Sequence, residues 1–187
     1  MKHLGKILVV DVESTCWEVK PPPGQKSEII QIGICTVDSK TLERIGKTSI
    51  LVQPVRSVIS SFCVKLTNLK PKHFEGAKPL RYAVDVVRGE FNSQKRIWAS
   101  WGDYDRKQFE RVCKDDNVVY PFGSRHLNVK SLFAMAAGLE YEVGMDQAYE
   151  MLGLEMEGRH HRGDDDAWNI AGILCMLLKS FRNIMPM

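Results

Sequence analysis

Paired cysteines, long apolar runs, internal repeats and a strong charge of either sign are all missing from this 187-residue chain. The five cysteines, Cys16, Cys35, Cys63, Cys113 and Cys175, are scattered and form no C-x-x-C. Neither a disulfide framework nor a zinc site is indicated, and reduced thiols in a cytosolic protein are expected. No apolar stretch approaches the roughly 20 residues that a membrane span needs. The opening MKHLGKILVVDVEST has an apolar run that Asp11 and Glu13 interrupt at once, unlike a secretion signal. The chain is therefore expected to be cytoplasmic, with no membrane partner. A net charge of +3 neither requires nor excludes a nucleic-acid partner.

What is present is the composition of a soluble globular protein, 44% hydrophobic and 26% charged. The length fits one domain, expected over residues 1–187. KILVVDV (6–12) is a short β-branched run, the pattern of a strand buried on both faces. Pro21-Pro22-Pro23-Gly24 interrupts regular structure, after which EIIQIGICTVD (28–38) and TSILVQP (48–54) read as strands. These three predict a meander with the first strand in its interior. A small helix is expected near Pro71, a longer one over 80–91 with Leu80, Val84 and Val87 on one face. A buried strand follows at 96–100, then a helix from Asp103 to Cys113. Further helical spacing occurs at 145–154 and from about Asp164 to Arg182. The order predicts an α/β fold with an antiparallel start.

The carboxylates carry the chemistry. Residues i and i+2 of a strand share a face, so Asp11 and Glu13 would lie side by side where the first strand ends. Two adjacent buried carboxylates need a counter-charge, and hard oxygen ligands suit Mg²⁺ or Mn²⁺. Solvation at a strand end is the plain alternative. In GDYDRKQF, Asp103 reads as the helix cap, and Asp105 faces whatever Phe109 faces at i+4. In GRHHRGDDDAWNIAGIL, Asp164 reads as a natural N-cap and Asp165 as a first-turn acid. Asp166 falls on the buried stripe with Ile170, beside the small Ala167. His160 and His161 precede this helix, and pairing with the inward Asp166 selects His161. A zinc protein using these histidines and a cysteine lacks ligand spacing and is set aside.

Taken together the motifs resemble those of the DEDDh exonucleases of the ribonuclease H-like fold. D-x-E matches Asp11 and Glu13, the aspartate near a helix start matches Asp105, and H-x-x-x-x-D with a small residue after it matches His161, Asp166 and Ala167. DVESTCWE, ISSFCVKLTNLKPK and GRHHRGDDDAWNIA are similar to the branch containing the histone-mRNA 3′ exonuclease. His160 and Asp164 duplicate motif letters. The accessory RNA-binding domain of some relatives is absent from these 187 residues.

The resemblance implies a mixed sheet, antiparallel over its first three strands and then parallel, flanked by helices. It implies a 3′→5′ exonuclease acting on single-stranded nucleic acid, RNA ahead of DNA, with two Mg²⁺ or Mn²⁺ ions. Asp11, Glu13 and Asp166 hold the first ion, Asp11 bridges to the second, and Asp105 acts through water. His161 is the general base in its neutral form, so activity should rise with pH through the imidazole range.

Ser14, Thr15, Cys16 and Trp17 are candidates for the terminal nucleotide, with Phe62 and Leu66 as an apolar floor. Trp101 and Tyr104 are candidate stacking faces, and Lys107 and Arg162 candidate phosphate contacts. Lys65, Lys70 and Lys72 form a further basic group. Each also has a plain reading as core packing or solvated surface. A DNA exonuclease or proofreading-type subunit shares every catalytic position, since the distinction lies in contacts to the 2′-OH. A non-catalytic scaffold on the same fold should have lost a ligand, and none is lost. The sequence does not locate an apolar patch for self-association, and it leaves the oligomeric state open.

Overall fold

A computed structural model describes residues 4–184; the first and last three residues of the expected 1–187 domain lie outside it. Five strands form one mixed sheet in the order β3-β2-β1-β4-β5. They are β1 (Lys6–Ser14), β2 (Ile29–Asp38), β3 (Glu43–Leu51), β4 (Ile97–Ser100) and β5 (His126–Asn128). The pairs β1–β2 and β2–β3 are antiparallel, whereas β4 runs parallel to both β1 and β5. The α/β class, the interior first strand and the antiparallel start are as the sequence predicts. Two differences concern strands. β3 begins at Glu43 rather than 48 and ends at Leu51, an edge strand too polar and exposed to carry alternation. β5 is three half-buried residues, too short to show a period.

The helices are α1 (Ser61–Thr67), α2 (Leu80–Glu90), α3 (Tyr104–Asp115), α4 (Val129–Ala136), α5 (Met145–Met151) and α6 (Gly163–Ile184), with a 3-10 turn at Pro71–Phe74. They cover the sheet on two sides, which is why β1 is an almost unbroken apolar run. Ile7 and Val9 pack toward Ile170, Ile173 and Leu174 of α6 and toward α4 and α5. Leu8, Val10 and Val12 pack on the other side with α2 and α3 residues such as Val84, Val87 and Phe109. Continuing the first series by twos leads from Ile7 and Val9 to Asp11 and Glu13. The stripe that seats α6 thus turns acidic where β1 ends.

Gly33 on β2 lies opposite Asp11 in register and directly under Gly163, the first residue of α6. A Cβ at Gly33 would overlap the Gly163 carbonyl, and one on Gly163 would sit 3.0 Å from the Asp11 carbonyl oxygen. Backbone meets backbone here, and no side chain fits. Gly33→Ala is expected to lower the unfolding free energy by at least about 4 kcal/mol. Urea titration beside Gly46→Ala, whose Cβ meets nothing within 4 Å, checks this. Equal losses in the two variants would mean that α6 can move off β2 freely.

Candidate active site

Three elements converge at the end of β1. Asp11 is partly open to a cleft of about 350 Å³, while Glu13, Asp105 and Asp166 are almost fully buried along it. Asp105, in the first turn of α3, reaches across to β1, where its Oδ1 accepts the Val12 N–H at 2.9 Å. Phe109, one turn later, is fully buried, so the i+4 relation does aim Asp105 inward. Asp166 sits in the first turn of α6, four residues before buried Ile170. Both helices point their positive ends at the cluster, where acids are favoured.

The three consecutive aspartates separate by partner. Asp164 accepts from Gln31 Nε2 at 3.2 Å, while Gln31 Oε1 accepts the Gly163 N–H at 3.0 Å. Asp165 pairs with Lys47 and accepts the Arg159 N–H at 3.0 Å. Asp166 alone of the three lines the cleft. The helix opens at Gly163, so Asp164 lies within α6 and not at its N-cap. Asp103 does stand at the N-cap of α3, but it adopts helical dihedrals and makes no capping bond; its carboxylate accepts from Arg106 instead.

Burial, reinforced by crowding of like charges, sets the acid–base behaviour. Burial, then repulsion from Asp105, Glu13 and Asp166, holds the Asp11 carboxyl well above its ordinary range. Burial, then Asp166 and Asp105, raises Glu13 to about 7 against the opposing His160 and Arg162. Burial raises Asp105 to about 7, although the Val12 N–H pulls the other way. Carboxylate oxygens of Asp11, Glu13 and Asp166 all lie within 4.8 Å of one another. Such a set is suited to a divalent cation with a preference for oxygen, which would relieve the repulsion.

The two histidines stack, ring centroids 4.0 Å apart, and both line the cleft. His160 makes the side-chain bond to Asp166, Nδ1 to Oδ1 at 3.0 Å, whereas His161 donates its backbone N–H to Oδ2 at 2.8 Å. His161 holds a left-handed φ of 62°, a conformation that histidine adopts more readily than most residues. Burial, then the neighbouring His160, lowers the His161 pKa. The bond to Asp166 raises that of His160.

Of the candidate substrate contacts, Ser14, Cys16, Leu66, Trp101 and Tyr104 line the cleft. Thr15, Trp17, Phe62, Lys107 and Arg162 do not. Thr15 faces inward, its Oγ1 accepting the Glu28 N–H at 2.8 Å; β1 ends at Ser14 and its register breaks after Glu13, so Thr15 does not continue the Asp11–Glu13 face. Thr67, beside Leu66, is likewise buried and bonds to the Cys63 carbonyl. Gly144, Met145 and Asp146 at the start of α5 complete the cleft, and their sequence gave no sign of it. A larger cavity of about 620 Å³ lies elsewhere, lined by Arg44, Tyr149, Trp168 and Lys179 among others. It shares no residue with the carboxylate cluster.

Comparisons with known proteins identify the family and the fold. The exonuclease family RNase_T matches residues 8–174. The 3′-5′ exonuclease Snipper of Drosophila melanogaster is 24% identical over 96% of this chain and 71% of its own length. Human 3′-5′ exoribonuclease 1 is 27% identical over 92% of this chain and 52% of its own, so the chain spans about half of that relative. The solved nuclease domain of 3′hExo, a DEDDh family member bound to rAMP, superposes with a TM-score of 0.82 at 25% identity. That match covers 95% of this chain and 94% of that one. Among the described residues no helix is long and apolar enough to cross a membrane. By its fold, its motifs and these matches, the chain belongs to the RNase_T exonuclease family and carries a 3′–5′ exonuclease domain of the DEDDh type.

Proposed function

We propose that this protein hydrolyses phosphodiester bonds from the 3′ end of single-stranded RNA, using Asp11, Glu13, Asp105, Asp166 and His161. The observation that carries this reading is the meeting of those carboxylates, from β1, α3 and α6, in a cleft walled by Tyr104, Trp101 and Leu66. Asp11, Glu13 and Asp166 are suited to hold one Mg²⁺ or Mn²⁺, and Asp11 with Asp105 a second. When bound, the ions supply positive charge to the scissile phosphate and to the oxygens that enter and leave it. Asp105, tied to the Val12 N–H, stays fixed relative to β1. Tyr104 is 57% exposed and offers a stacking face, worth roughly 1–3 kcal/mol per base. RNA ahead of DNA follows from the exoribonucleases among its relatives. Five free thiols support a reducing, cytoplasmic setting.

His161 takes a proton from the attacking water. Its pKa lies below the ordinary 6.5, so the imidazole is already neutral at physiological pH, as a base must be. Activity at saturating metal should therefore climb with pH to a plateau, with the midpoint below 6.5. His161→Asn is expected to reduce kcat by about 10²–10⁴-fold and to abolish that limb in single-turnover assays. An unchanged limb in the variant would assign the proton to another group.

The decisive assay is cleavage of a 5′-labelled single-stranded RNA and its DNA twin, with Mg²⁺, Mn²⁺ or chelator. A ladder shortening from the 3′ end, dependent on metal and faster on RNA, is the expected result. A faster DNA ladder would make it a deoxyribonuclease. Binding without cleavage would make it a scaffold.

A further inference from the structure

We propose that His160, His161 and Asp166 form a binding site for a Zn²⁺ ion, and that Zn²⁺ seated there switches hydrolysis off. Ligand atoms of the three side chains lie within 4.8 Å of one another. The two rings stack face to face, centroids 4.0 Å apart at 23°, which holds both imidazoles together beside Asp166. His160 Nδ1 already stands 3.0 Å from Asp166 Oδ1.

The loop is held in this shape from both sides. The His161 N–H bonds Asp166 Oδ2 at 2.8 Å, and the Arg159 N–H bonds Asp165 at 3.0 Å. Stacked, half-buried neighbours on such a braced loop lose little further freedom on taking up an ion. Two imidazoles and one carboxylate with an open fourth position are a zinc-like donor set. Mg²⁺, which requires six oxygens, has no use for the imidazoles. The two halves of the cleft therefore prefer different ions and share only Asp166.

His160 is the histidine that the H-x-x-x-x-D spacing leaves over, and this site gives it a use. Zn²⁺ here would occupy Asp166 and His161 together. Binding stands independently of the proposed hydrolysis; inhibition rests on it.

Calorimetric titration of Zn²⁺ into the chelator-stripped full chain tests binding, with His160→Asn, Asp11→Asn and Cys16→Ser alongside. Wild type, Asp11→Asn and Cys16→Ser should each take up one ion. His160→Asn should bind at least about 100-fold more weakly, since even outer-sphere partners are worth 10–100-fold. Co²⁺ in place of Zn²⁺ should give the visible absorption of a four-coordinate site in wild type and lose it in His160→Asn. Equal affinity in His160→Asn, or loss confined to Asp11→Asn or Cys16→Ser, would overturn the site.

For inhibition, equimolar Zn²⁺ should suppress Mg²⁺-supported RNA cleavage in wild type and spare His160→Asn. Each rate is taken relative to the same variant without zinc. Cleavage that persists while Zn²⁺ is bound through His160 would overturn the inhibitory half. Absence of cleavage without zinc would instead refute the hydrolytic reading and leave the binding result standing.

Discussion

Asp11→Asn is expected to cut RNA hydrolysis by at least about 10³-fold while raising the melting temperature of the metal-free protein. Both effects come from one carboxylate. Asp11 faces Asp105, Glu13 and Asp166, and its charge is opposed by all three. Asparagine keeps the shape and removes the repulsion, so the folded state gains. The same change removes one of the three clustered carboxylates suited to a divalent cation, so the proposed chemistry should be lost. Opposed effects on stability and activity are common at sites that hold uncompensated charge. Thermal melts in chelator, paired with single-turnover assays, check both parts. A variant that is less stable than wild type would mean Asp11 is held by contacts that outweigh its neighbours' repulsion.

The metal-free protein should lose stability as pH rises from about 4.5 to 7, and divalent metal should restore it. Glu13 keeps its proton to about 7 in the fold, against an ordinary 4.5, and Asp105 behaves alike from 3.8. Between those limits the folded chain binds more protons than the unfolded one, so raising pH favours unfolding. For Glu13 the difference from 4.5 to 7 amounts to about 3 kcal/mol. Above pH 7 that loss is complete and the curve levels. Saturating Mg²⁺ or Mn²⁺ binds the charged form alone, so its effect on the melting temperature should be large at pH 8 and small at pH 5. Parallel melts across pH with metal or chelator provide the measurement. A metal effect independent of pH would place the ion away from Glu13 and Asp105.

The site was legible where one element's own periodicity fixes direction. Alternation along β1 puts Asp11 and Glu13 together, and the buried stripe of α6 singles out Asp166 from three aspartates. The same logic located Asp105 through Phe109. It failed where a partner from a distant element decides. Asp164 and Asp165 find Gln31 and Lys47 across the sheet; Asp164 is not the cap that local sequence suggests, while Asp165 does lie in the first turn of α6. Thr15 follows the D-x-E pair yet turns to Glu28. Asp146 reaches the cleft only because α5 packs beside α6, which no spacing in QAYEM reveals. The edge strand β3 and the brief β5 were blurred for the opposite reason, since exposed or three-residue strands bury too little to impose a pattern. The paired histidines were the ambiguous case: spacing favours His161, while the imidazole bond to Asp166 comes from His160.

The carboxylate cluster draws on β1 and on α6, which lie far apart in chain order and meet through apolar packing and the close backbone approach at Gly163. A ribosome makes Asp11 early and Asp166 after every strand of the sheet is complete. While the chain is being synthesised, then, a nascent polypeptide beside its own messenger has no assembled hydrolytic centre. A chain truncated before residue 163 would lack Asp166 and the α6 half of one core cluster, and with them one wall of the carboxylate site.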